Sequence, residues 1–217
     1  MSYNPLLSAY FHLLSDGDYS HTTLLSPIAV QEYSEEFSFH PAVQLFGGYV
    51  LDDLGTSNHH LLITTGPLAG CVYYLSHDDD SRVVFATSSD FLAAVLQAQQ
   101  TEQDSSDLHP ALSPLAKNQS ALSALITELL DSGDEEAEDL LPSLLPSVDL
   151  NDLALLQRLA TSDNFYLGEA LAHEIIKRPA AHLLPIAQLC AAHAHSQVSG
   201  VGAKAVRSIQ ALRYAPA

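Results

Sequence analysis

The period of the apolar residues sets the order in which the layers of this chain can be built. From residue 22 to 87 they come as short runs of β-branched and aromatic residues closed by turns; from residue 88 on they recur every three or four positions. The sharpest example of the first kind is Val72, Tyr73, Tyr74 and Leu75, followed after a polar break by Arg82, Val83, Val84, Phe85 and Ala86. Both runs read as strands, and His77, Asp78, Asp79, Asp80 and Ser81 read as the hairpin loop between them, because aspartate tolerates turn dihedrals and bonds its own backbone. Ser88, Ser89 and Asp90 then offer an N-cap and a negative charge for the positive end of a helix, whose apolar stripe is Phe91, Leu92, Val95 and Leu96.

The same reading predicts a short helix over 5–14, with Leu6, Leu7, Tyr10, Phe11 and Leu14 on one side, and strands over 22–30, 49–54, 61–65, 71–75 and 82–87. Strands joined by short turns imply a mostly antiparallel sheet, with the helices packed on one face. The expected first domain is therefore α+β and covers 1–100. The stretch 97–107 has little to bury, and the domain junction is expected there. Residues 108–217 read as an all-α helical-hairpin domain. Leu122, Leu125, Ile126, Leu129 and Leu130 make one helical stripe, 131–139 an acidic loop, and 150–213 four helices of about 11 to 17 residues in stacked antiparallel pairs.

Charge narrows the function. Residues 1–100 carry eleven acids and one base, 101–150 eleven acids and one base, and 151–217 four acids and six bases, which accounts for the net charge of −18. Such a field repels nucleic acid and anionic membrane and draws a basic partner into fast, salt-sensitive encounter; a solubility adaptation is the alternative reading. Hydrophobic residues make up 47% of the chain, too many for disorder, yet no apolar stretch reaches the length of a membrane span. The first twenty residues lack a basic region before an apolar one, so a cytoplasmic protein is expected. Cys71 and Cys190 form no metal or disulfide framework and are expected as reduced core residues.

Patterns for chemistry are missing. The Asp78, Asp79, Asp80 block lacks the spacers, glycine and distal glutamate of a calcium loop. Neighbours on a strand point to opposite faces, and residues two apart on a helix diverge, so neither His59 with His60 nor His193 with His195 chelates by itself. His173 and His182 read as helix-face residues. There is no nucleophile elbow, phosphate-binding glycine loop, His-Glu-x-x-His or basic aromatic patch. No catalytic residue, metal or cofactor is expected. The acidic hairpin tip is then either a solvated turn or a contact to a basic partner.

A family resemblance adds to this. Leu45 and Phe46 before a Gly pair, Gly70 to Tyr74 as Gly-x-Val-Tyr-Tyr, the Ser76, His77, Asp78 turn, and Ser88 to Leu92 as Ser-x-Asp-Phe-Leu resemble the SUKH superfamily, whose members include a yeast cell-wall regulator and many bacterial immunity proteins. The resemblance covers about residues 5–100. It departs at Ser15 to Asp18, where the family's Asn and one Gly are missing. Residues 150–217 faintly resemble helical repeats of the HEAT type. The SUKH resemblance implies a non-enzymatic α+β protein that neutralises a cognate toxin by binding it, and the acidic charge points to a nuclease whose groove holds phosphates; the alternative is an adaptor of the same fold linked to secretion or cell-envelope assembly. It assigns no binding residue and no oligomeric state. The charge pattern nominates Asp52, Asp53, Asp78, Asp79 and Asp80 for the contact, with Glu35 and Glu36 as second choice.

Overall fold

Proline and the residue before it set the starts of the first three helices. Pro5, Pro27 and Pro41 each open a helix where a missing N–H costs nothing, and Asn4, Ser26 and His40 cap them with side-chain acceptors. The computed structural model describes residues 4–77 and 81–212; the Asp78, Asp79 and Asp80 candidates lie outside the described residues. Helix α1 is Pro5–Ser15, α2 Pro27–Glu36 and α3 Pro41–Phe46. Helix α2 replaces much of the strand expected over 22–30. Its apolar run Ile28, Ala29 and Val30 follows a proline cap, and only the isolated antiparallel bridge from Leu24 to Asp52 remains of sheet pairing there. Helix α3 was not expected; it ends at Gly47, whose φ of +52° is one that side-chain-bearing residues rarely adopt.

Four strands follow: β1 Tyr49–Val50, β2 His59–Leu62, β3 Val72–Leu75 and β4 Arg82–Phe85. They form one antiparallel sheet in sequence order, with Tyr49 opposite Leu62, His60 opposite Tyr74 and Val72 opposite Phe85. All four residues of β2 and all four of β3 are buried, so these strands need cover on both sides. On one side α1 and α4 (Ser88–Thr101) bring Leu7, Tyr10, Phe91 and Val95 against Leu62, Val72, Tyr74 and Val84. On the other, Phe46 of α3 lies 5.1 Å from the Tyr73 ring and Phe37 meets the His59 ring edge-on at 4.7 Å. The expected one-sided packing is thus corrected to helical cover on both faces.

The chain divides into two compact units, Met1–Leu122 and Ser123–Ala217. The division lies inside α5 (Gln119–Ser132) and not in the polar stretch 97–107, nor does the helical part begin at residue 108. The polar residues Gln97, Gln99 and Gln100 form the exposed side of α4, whose Ala98 is buried. Beyond a 3₁₀ turn at Ser105–Leu108, Arg82 holds the following segment on the sheet unit by donating to the Pro110 carbonyl (2.7 Å) and to Ser113 Oγ (3.2 Å).

Every regular element among the described residues of the second unit is a helix. Within the expected acidic loop, Asp134 caps a one-turn helix, α6 (Glu135–Glu138), and Asp131 pairs with Arg158 at 2.6 Å. After α7 (Leu141–Leu144) come α8 (Leu153–Ala160), α9 (Phe165–Lys177), α10 (Leu184–Ala191) and α11 (Ser196–Ala211); α8 and α10, at eight residues, are shorter than expected. Glu174 on α9 is 3% exposed and is paired with both Lys177 and Arg178, while Arg178 also donates to the Val148 carbonyl. Cys190 is buried in α10 and Cys71 half-buried before β3, both as free thiols.

Helix α11 approaches α10 closely enough that a Cβ at Gly202 would lie 2.3 Å from the Ala191 nitrogen and 2.5 Å from the Cys190 carbonyl carbon. Backbone atoms cannot yield, so Gly202→Ala should destabilise the protein by about 1–3 kcal/mol or more. Gly200, two residues earlier on the same helix, meets nothing within 4 Å. Gly200→Ala should stabilise by about 0.5–1 kcal/mol through helix propensity. Urea denaturation of the pair checks both signs.

Candidate partner-binding site

Asp52 follows β1 and is fully buried. Oδ1 accepts from the His60 backbone N–H (2.8 Å), Oδ2 accepts from His60 Nδ1 (2.5 Å), and the Asp52 carbonyl accepts from His59 Nδ1 (3.1 Å). A carbonyl can only accept, so His59 carries its proton on Nδ1. Asp52 was nominated as a partner contact. That nomination is corrected: its carboxylate is consumed inside the fold by His60, while its backbone carbonyl holds His59, which points to the opposite face of β2.

On the inner face His60 Nε2 and His109 Nε2 are 2.8 Å apart, so one proton lies between them. The rings of Tyr74, Phe85 and Phe91 surround this contact. Burial first, then His60 and the Arg82 charge, push His109 down to about 3. The Tyr10 hydroxyl is buried without a hydrogen-bond partner among the described residues, and burial together with the Asp52 charge raises its pKa. The Asp52 and His60 side chains have no exposure and His109 is half-buried; together they clamp the 109–113 segment onto the sheet.

On the outer face, His59 lines an open pocket of about 530 Å³ with Phe37, His40, Ser57, Leu75 and His77. It lies where β2 begins and β3 ends, since His59 stands opposite Leu75. His59 is 4% exposed, and its Nε2 makes no hydrogen bond among the described residues, which leaves an acceptor for whatever enters. His40 Nδ1 accepts from the Ala42 N–H as the cap of α3, so its proton sits on Nε2; burial lowers its pKa and favours the same neutral ring.

Phe37 joins this pocket to the exposed side of α2. Ile28, Glu32, Glu35 and Glu36 follow one another at helical spacing there and are all exposed, and Phe39, 73% exposed, stacks on Phe37 at 6.3 Å. Glu35 and Glu36 make no ion pair among the described residues. Asp53 is exposed near the pocket; it accepts from the Gly55 N–H (2.9 Å) and the Tyr33 hydroxyl (3.0 Å), and these bonds lower its pKa, with His59 adding to the effect. Of the nominated acids, Asp53, Glu35 and Glu36 therefore lie on the surface. Sequence reading missed Phe37, Phe39 and His40. The signal was present as Ser26-Pro27 and His40-Pro41, two helix starts that frame a corner carrying aromatic residues.

Among the described residues no group of three or more histidines, cysteines or acids is arranged to hold a metal ion, and no helix is long and apolar enough to cross a membrane.

The low pKa of His109 has a consequence for stability. Above the ordinary histidine value of about 6.5 both folded and unfolded chains hold the ring neutral; between there and about 3 only the unfolded chain gains the proton. Stability from this site is thus fully present above pH 6.5 and lost on acidification, and His40 contributes in the same sense. His109→Gln keeps an N–H for His60 but cannot titrate. The fall in melting temperature between pH 7.5 and 5.0 should be smaller in that variant than in the parent, and equal slopes would contradict the assignment.

No protein-family model matches the chain, and neither the curated proteins nor the solved structures yield a match.

Proposed function

We propose that this chain is a cytoplasmic, non-enzymatic binding protein of SUKH type, an immunity protein that neutralises a basic toxin by docking it on the exposed side of α2. The observation that carries the reading is that Phe39, a large exposed ring, follows directly on α2, whose exposed Glu32, Glu35 and Glu36 make no ion pair among the described residues. Large aromatic residues concentrate binding energy when a partner covers them, and surrounding charge sets the rate of encounter. Glu35 and Glu36 end α2, where the helix dipole disfavours negative charge, and no basic residue occupies its last turn. Folding gains nothing from them there. The first unit as a whole carries fourteen acids against two bases, a field suited to a cationic partner.

The experiment is capture from the native cell followed by a toxicity test. The reading requires a basic protein that arrests growth when expressed alone and is relieved by this chain; an acidic or harmless partner, as an adaptor would give, overturns it. With that partner in hand, Phe39→Ala should raise Kd by roughly 10-fold or more at unchanged melting temperature. Glu35→Lys with Glu36→Lys should raise the melting temperature slightly while slowing association and flattening its salt dependence.

A further inference from the structure

The pocket beside this surface has a chemistry of its own. Its aromatic wall is Phe37, which meets His59 edge-on at 4.7 Å. Its acceptors are His59 Nε2, on a residue that is 96% buried and fixed through Nδ1, and Ser57 Oγ, which makes no hydrogen bond among the described residues. Among the described residues no lysine or arginine lines it, and Asp53 lies close enough for His59 to act on its charge. An anionic ligand would meet the field of fourteen acids with only the neutral His40 Nε2–H to bond it; a cation meets an aromatic ring, acceptors and a neighbouring carboxylate. Planar guanidinium suits this set better than ammonium, because it stacks on a ring while donating in its own plane, and it sheds water more readily.

We propose that the pocket seats one arginine side chain of the basic partner, with the guanidinium against the Phe37 ring and donating to His59 Nε2 and Ser57 Oγ. The proposal rests on the docking role of α2, which it deepens: Phe37 belongs to both surfaces, so the arginine fixes register where the acids of α2 set only rate. The volume, about 530 Å³, takes the side chain together with part of the backbone that carries it.

The test needs no partner. The full chain is titrated at pH 7.5 and low salt with N-acetyl-arginine amide and, separately, with N-acetyl-lysine amide, while the histidine side-chain and Phe37 resonances are followed. The arginine probe should give saturable shifts at His59 and Phe37 with a Kd of about a millimolar, roughly tenfold tighter than the lysine probe. Phe37→Ala should weaken the arginine probe by about tenfold. If that variant fails to fold, Ser57→Ala, at an exposed position, should weaken it severalfold. No saturable shift, or equal affinity for both probes, overturns the proposal. A toxin captured on the α2 surface with no arginine binding in the pocket would remove this inference alone, and arginine binding without any toxic partner would remove the immunity reading alone.

Discussion

Asp52 is the residue on which the first unit turns. Its buried carboxylate fixes His60 by backbone and ring at once, and its main-chain carbonyl fixes His59. An anion in such a place costs several kcal/mol unless fully bonded, and breaking a buried pair by removing one partner costs about 3–5 kcal/mol. The three bonds at Asp52 therefore do more than hold β1 to β2. They set ring orientation on both faces of the sheet from a single residue.

The two faces then go different ways. Inward, His60 reaches His109, which with Arg82 straps an irregular segment over the aromatic cluster and brings 105–113 into the sheet unit. Outward, His59 is held with its acceptor free at the back of a pocket whose other wall, Phe37, continues into the acidic side of α2. One buried residue thus links the clamp that closes the unit to the pocket beside the proposed docking surface. In that proposal the exposed acids set encounter and the aromatic residues affinity, and the order beneath them comes from Asp52.

Much of the architecture was legible because it rests on local pattern. The hairpin of β3 and β4, the capped α4 and the antiparallel order follow from β-branched runs, turn residues and an N-cap. What failed was decided by tertiary contact or by a signal outweighed. Ile28, Ala29 and Val30 read as strand by composition, yet Ser26 and Pro27 start a helix there. The stretch 97–107 reads as a linker because its polar residues are visible in sequence and the burial of Ala98 and the reach of Arg82 are not. Asp52 and Asp53 are neighbours of one chemistry with opposite fates, one buried under two histidines and one exposed, and only the strand geometry separates them.

The protons on the histidine rings test this account most directly. Long-range proton–nitrogen correlation spectra of the histidine side chains at pH 7.5 distinguish the two tautomers of each ring. The account predicts protonated Nδ1 on both His59 and His60, an unprotonated Nε2 on His59, and one proton between the Nε2 atoms of His60 and His109. A His59 ring protonated on Nε2, or a His60 ring without a proton on Nδ1, would contradict the claim that Asp52 orders both faces.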